Sequence, residues 1–211
     1  MLQKKTVEPS TFSFLEKLAK SSELKGFALV GGTALSLQLA HRVSSDLDFF
    51  SQKDFNNEPI RDLLEKENKN LIYARVGKNL VQATIGGIKV DFACHKYPVV
   101  KSGIKFSNIH IFSIEDIAAI KLEAVLSRAK KRDYIDIARI MKQINLEEIL
   151  GLFQKKYNQK NIFHVVKALG YFADAEQDIE PLKIIDKSYA WENSKKIITD
   201  GIRGLGRLKK P

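Results

Sequence analysis

Two aspartates two residues apart, Asp46 and Asp48, lie in the run SSDLDFFS, which reads as a strand. Strand side chains alternate between faces, so both carboxylates project from one side. Like charges that close push one pKa upward unless a cation lies between them, and a hard divalent ion with oxygen ligands is the usual cation in such a place. Upstream, FALV followed by Gly31, Gly32 and Thr33 reads as a short strand, a tight turn and the start of a helix. The free N–H groups and the dipole of a helix N-terminus attract phosphate. A phosphate seat beside a metal seat suits nucleotide chemistry.

The elements that must position these residues can be read along the chain. Residues 1–10 are polar, contain Pro9, and are expected to be a loose arm. Thr11–Lys25 carries Phe14, Leu15 and Leu18 at helical spacing and should pack on a sheet. After the Asp46 strand, Asp54–Lys66 reads as a helix with Ile60, Leu63 and Leu64 on one side. Three strand-like runs follow, Leu71–Val76, Leu80–Ile85 and Ile88–Ala93, the last two joined by Gly86 and Gly87 as a two-residue hairpin. The third run sets Asp91 between Val90 and Phe92. There a carboxylate either lies on the solvent face of an edge strand or needs a partner, because an unpaired buried charge is costly. Residues 96–106 read as irregular, and 109–112 as a short strand.

From Ser113 the texture is helical, with Ser113 as N-cap and Asp116 completing a capping pattern. The expected division is therefore an α/β domain over 1–112, a mixed sheet flanked by helices, and a helical domain over 113–211 closing a cleft. Ile117, Lys121, Ala124, Val125 and Arg128 share one stripe of the first helix. Lys121 thus sits mid-stripe, where a lysine either snorkels to the rim or reaches a buried anion. The next helix should begin near Asp133 and bury Ile137, Ile140, Met141 and Ile144. Asp133 can cap it, and Asp136 can pair with Arg132 or Arg139. Further helices are expected over Leu146–Tyr157, Ile162–Phe172 and from about Tyr189. Phe153, Phe163, Tyr171, Phe172 and Trp191 are expected in their core. The basic tail, with Arg203, Arg207, Lys209 and Lys210, either tracks a phosphate backbone or is a solvated end.

Across 211 residues, 44% are hydrophobic and 28% charged, the balance of an ordinary globular chain. No apolar run is long enough to cross a membrane, and MLQKKTVEPS lacks the apolar stretch of a signal peptide, so a cytoplasmic location is expected. The one cysteine, Cys94, reads as a buried small hydrophobe. A formal charge of +10 favours a polyanionic partner, RNA or DNA first.

GGTALSL followed by HRVSSDLDFF resembles the signature of the AbiEii/AbiGii-type nucleotidyltransferases, a branch of the DNA polymerase β-like nucleotidyltransferase superfamily. The superfamily pattern is a Gly-Gly or Gly-Ser turn, a helix, Asp-x-Asp on a strand and a third carboxylate on a neighbouring strand, which here selects Asp91. Lys121, Arg128, Asp133 and Asp136 are similar to a second family motif, and His41 and Arg42 to its His-Arg pair. The resemblance implies transfer of a nucleoside monophosphate from an NTP with loss of pyrophosphate, and two Mg²⁺ ions (or Mn²⁺) on Asp46, Asp48 and Asp91. Gly31, Gly32 and Thr33 would then hold phosphates, Lys121 would neutralise the triphosphate, and Asp136 would stand across from it. Arg42 would contact a phosphate or brace the helix end, with Asp133 beside the nucleotide. It further implies a toxin acting on an RNA acceptor, the tRNA end foremost, and a cognate antitoxin. A protein or small-molecule hydroxyl as acceptor, or a scaffold that binds RNA without turnover, are the rival readings.

Overall fold

Pairs of short strands rich in β-branched and aromatic residues need one another to satisfy their backbone, and seven of them do so in one mixed sheet. The computed structural model describes residues 2–67 and 70–207, without the side chains of 206 and 207. The chain forms two compact units: residues 1–38, 43–98 and 102–113 make the first, and 39–42, 99–101 and 114–211 the second.

The first unit holds α1 (Pro9–Lys20), β1 (Phe27–Val30), α2 (Gly31–Leu39), β2 (Leu47–Ser51), α3 (Glu58–Glu65), β3 (Ile72–Gly77), β4 (Leu80–Ile85), β5 (Ile88–Cys94), β6 (Ile104–Phe106) and β7 (Ile109–Ile111). Spatial order is β3-β4-β5-β2-β1-β7-β6. β2 runs parallel to β5 and antiparallel to β1, while β1 pairs β7 in parallel. Along β2, Leu47, Phe49 and Ser51 are buried and Asp48 and Phe50 half-buried, so the period of two sorts the faces. Phe49 stacks on Phe92 at 4.9 Å between ring centroids. Burying a side chain of this size contributes roughly 1.5–3 kcal/mol. Gly86 and Gly87 both have positive φ, 55° and 84°, as a two-residue hairpin with the sheet's twist requires.

Local readings differ from the structure in several places. The expected loose arm is ordered: residues 4–6 form a 3₁₀ turn, Val7 is buried and bridges Ser44, and Pro9 starts α1, where its missing N–H costs nothing. α3 starts at Glu58 rather than Asp54, whose carboxylate instead accepts from Asn79 Nδ2 and Lys96 Nζ. β6 lies in the stretch expected to be irregular. Gly103 precedes it because a Cβ there would meet the Ile111 carbonyl oxygen at 2.0 Å. Cys94 is half-buried, at the end of β5.

The second unit contains α4 (Ile114–Arg128), α5 (Lys131–Ile140), α6 (Leu146–Tyr157), α7 (Phe163–Leu169), α8 (Ala173–Glu176) and α9 (Trp191–Arg207). Its core gathers Ile117, Leu122 and Val125 of α4, Ile137 and Ile140 of α5, and Phe153 of α6. Asn145 caps α6 by accepting from Glu148 N, and Asn158 ends it at φ 52°. Phe153 is buried as expected. Phe172 and Trp191 are half-buried and pack around Tyr134, but Phe163 and Tyr171 are 73% and 55% exposed. Asp116, expected to complete a cap, is buried, accepts from the N–H groups of Val100 and Lys101, and pairs with the equally buried Lys156 at 2.8 Å. Among the described residues no helix is long and apolar enough to cross a membrane. Of the basic tail, Arg203 is exposed on α9, while Lys209, Lys210 and the Arg207 side chain lie outside the described residues.

Candidate active site

β2 and β5 run parallel with Asp48 opposite Asp91, so the register alone puts these two residues side by side on one face. β4 adds Gln82 opposite Asp91, and its Nε2 donates to Asp91 Oδ2 at 2.7 Å. Asp46 lies just before β2, in phase with Asp48. Burial, reinforced by the Asp46 charge, pushes the Asp91 carboxyl up from its ordinary value, and the Gln82 bond only partly offsets this. Among the described residues no group of three or more His, Cys, Asp or Glu side chains is placed to hold a metal ion.

The turn into α2 is tied to the same face. β1 pairs antiparallel with β2, Val30 opposite Asp48, so the next residue, Gly31, abuts the Asp48 side chain. A Cβ on Gly31 would sit 2.1 Å from Asp48 Oδ2, and Gly31 has φ +71°. The backbone demands glycine here, and a Cβ would also force the Asp48 carboxylate to move. Thr33 departs from expectation. It is fully buried, with its hydroxyl bonded to Ser44 Oγ at 2.9 Å and to the Asp46 carbonyl, so it fixes the main chain that presents Asp46 and does not offer itself to a phosphate.

The remaining predicted residues meet within the second unit, whose segment 39–42 supplies His41 and Arg42. Asp136 is fully buried and accepts from Arg42 Nε at 2.7 Å and Arg42 Nη2 at 2.9 Å. It also receives His41 Nε2 at 2.7 Å and Lys121 Nζ at 2.6 Å. Asp133, also fully buried, binds the same Lys121 at 2.8 Å and Arg128 through Nε and Nη2. Burial alone would raise both carboxyls. Lys121 and Arg128 outweigh it for Asp133, and Arg42, Lys121 and His41 hold Asp136 well below the usual range. Burial lowers the His41 pKa against the opposing pull of Asp136, and because a carboxylate only accepts, Nε2 is the donor in their bond.

This geometry decides among the readings of four residues. Lys121 is 3% exposed and its ammonium faces two aspartates rather than an open phosphate seat. Asp133 does not cap α5, whose N-cap is Lys130. Asp136 pairs with His41, Arg42 and Lys121, not with Arg132 or Arg139. Arg42 braces the chain after α2 through a bidentate bond, the second of its two readings.

The sequence profile described as the nucleotidyl transferase AbiEii toxin of type IV toxin–antitoxin systems matches residues 13–196. The chain belongs to the AbiEii nucleotidyltransferase toxin family. An uncharacterized protein of Aquifex aeolicus, aq_aa25, is 33% identical over 177 residues, which cover 79% of this chain and 85% of that one. JHP933 from Helicobacter pylori has a similar fold, with TM-score 0.52, 18% identity and 96% of each chain covered. MenT4, a nucleotidyltransferase toxin from Mycobacterium tuberculosis, aligns with TM-score 0.49 and 14% identity over 96% of this chain and 87% of that one.

Sequence reasoning missed two features of this AbiEii-family chain. The Lys156–Asp116 pair carries no local signal, since the residues are 40 apart in sequence. Gln82 could have been found: it sits two positions from Leu80 and Thr84 in a hairpin whose turn was legible, and counting across that turn puts it opposite Asp91.

Proposed function

We propose that this nucleotidyltransferase moves a nucleoside monophosphate from an NTP to a hydroxyl of an RNA acceptor, the tRNA end foremost, as the toxin partnered by a cognate antitoxin. The observation that carries the reading is the β2–β5 register, which sets Asp91 beside Asp48 with Asp46 in phase. The charge of +10 supports a polyanionic acceptor.

A hard divalent cation, Mg²⁺ or Mn²⁺, fits the donor set. The β2–β5 register sets the Asp48 and Asp91 positions side by side, and such ions are usually held by one or two carboxylates together with substrate phosphates. Asp46, Asp48 and Asp91 would hold it, two ions being the expected number, and it would supply charge neutralisation for the triphosphate and the leaving group. The N–H groups of Gly31 and Gly32 at the α2 N-terminus bind phosphate oxygens, while Thr33 holds the Asp46 main chain in place. The acceptor hydroxyl oxygen bonds to the α-phosphorus, the bond from that phosphorus to the oxygen bridging the β-phosphate breaks, and pyrophosphate leaves with the electron pair. The hydroxyl proton passes to the Asp91 carboxylate, acting as general base. Lys121, Asp133, Asp136, His41 and Arg42 act as positioning residues that fix the chain four residues ahead of Asp46.

The test is incubation with each labelled NTP, Mg²⁺ and total RNA, beside an Asp48→Asn control. Label entering RNA with stoichiometric pyrophosphate, and lost in the control, is the expected result. Label on protein or on a small molecule, or none at all, overturns the RNA acceptor.

A further inference from the structure

Beyond the carboxylates, the face they occupy continues into a cavity of about 560 Å³ in the first unit. Leu80 and Ala93, cross-strand partners, form part of its lining, each two residues along its strand from the Gln82 and Asp91 pair and therefore on the same face. On the other side Ala93 is paired with Phe50, whose ring stacks on His95 at 4.6 Å and 17°. His95 in turn meets Tyr97 at 4.9 Å, and Tyr97 lines the cavity with 46% of its surface exposed. Lys78, Asn79, Cys94 and Lys96 line it as well, together with Asp54, whose carboxylate pairs with Lys96 at 2.8 Å. The volume lies within the usual range for a small-ligand pocket.

We propose that this cavity is a subsite for one nucleotide unit, its base lying against Tyr97 and its phosphate met by Lys78 and Lys96. The inference rests on the nucleotidyltransferase reading. An aromatic face accepts any base by stacking, lysines meet phosphate as point charges, and the wall leads along β5 to the carboxylate assigned to receive the acceptor's proton. Position beside Asp91 favours the terminal nucleotide of the RNA acceptor, and the incoming NTP is the other source of the same chemistry.

Cys94 is the chain's single cysteine and lines this cavity, so its alkylation reports occupancy without turnover. Burial and Asp54 push its thiol up, so iodoacetamide labelling is followed by intact mass at alkaline pH. A short single-stranded RNA with a free 3′ hydroxyl, at ten times its Kd, slows labelling about tenfold because only the free fraction reacts. Tyr97→Ala weakens that protection about 5- to 150-fold in Kd, the stacking of one base, while Tyr97→Phe retains it. Protection by a non-hydrolysable NTP analogue alone also supports the subsite and assigns it to the NTP. Protection by neither probe, or protection indifferent to Tyr97→Ala, overturns it. Turnover without protection defeats this inference and leaves the enzyme reading standing. Protection without turnover does the reverse.

Discussion

Replacing Lys121 by methionine separates a positioning lysine from one that grips a triphosphate. Methionine keeps the apolar stem and deletes the ammonium that lies 2.8 Å from Asp133 and 2.6 Å from Asp136. Removing one partner of a buried ion pair generally costs 3–5 kcal/mol, because the other charge is left without compensation. Here Asp136 keeps Arg42 and His41, and Asp133 keeps Arg128, so the loss belongs at the lower end, about 3 kcal/mol. For a chain of this length that lowers Tm by roughly 6–12 °C. The pH dependence follows from the depressed carboxyls: their stabilisation is present above the unfolded value of 3.8 and is lost as pH falls through the lower folded values. The Lys121→Met deficit is therefore greatest near pH 7 and shrinks below pH 4. Adding Asp133→Asn to Lys121→Met removes one buried carboxylate that has lost a cation and restores part of the loss, a coupling that two independent surface changes would not show. Thermal melts across pH, beside NTP affinity, test the reasoning. A Lys121→Met protein with wild-type Tm and NTP binding weakened on the order of tenfold or more would refute the buried-network account and return Lys121 to the triphosphate.

Three further outcomes are expected. Asp48→Asn abolishes transfer in the labelled-NTP assay while leaving the melting curve at or above wild type, since it relieves carboxylate repulsion; retained activity would remove Asp48 from the site. Gly31→Ala places a Cβ 2.1 Å from Asp48 Oδ2 at a φ of +71°, so both stability and transfer fall, the backbone strain alone costing about 1–2 kcal/mol; a silent Gly31→Ala would contradict the β1–β2 register. The raised pKa of Asp91 means that its contribution to stability is fully present below 3.8 and is lost as pH rises through the higher folded value. Asp91→Asn should therefore be more stable than wild type at pH 7, lose that advantage in acid and be inactive, as denaturant titrations at two pH values beside the transfer assay would show.

Much of the first unit was legible because its signals are local. A Gly-Gly pair between strand-like runs predicts a hairpin, and Gly86 and Gly87 take the left-handed conformations it needs. A Gly-Gly turn before a helical run predicts the β1–α2 junction, and a spacing of two puts Asp46 and Asp48 on one face whatever lies beyond them. The second unit was read less well. Its helices follow from periodicity, but Phe163 and Tyr171 stay exposed because periodicity names an apolar residue without naming what covers it.

What spacing determines is which residues share a face; which faces meet is decided only when distant segments pair. Asp91 stands beside Asp48 because β5 adds in parallel to β2, a choice of neighbour that neither strand encodes by itself. Thr33 turns inward because Ser44 and the Asp46 carbonyl lie under it. Lys121, a charge in the middle of an apolar stripe, and Asp136, flanking the stripe of the next helix, looked like residues in need of a partner. The partners that neutralise them include His41 and Arg42, 95 and 94 residues from Asp136 in the chain. A buried charge announces from sequence that something must compensate it, because desolvation is costly wherever it occurs. The identity of the compensator depends on contacts between segments far apart in sequence, and those exist only in the folded chain.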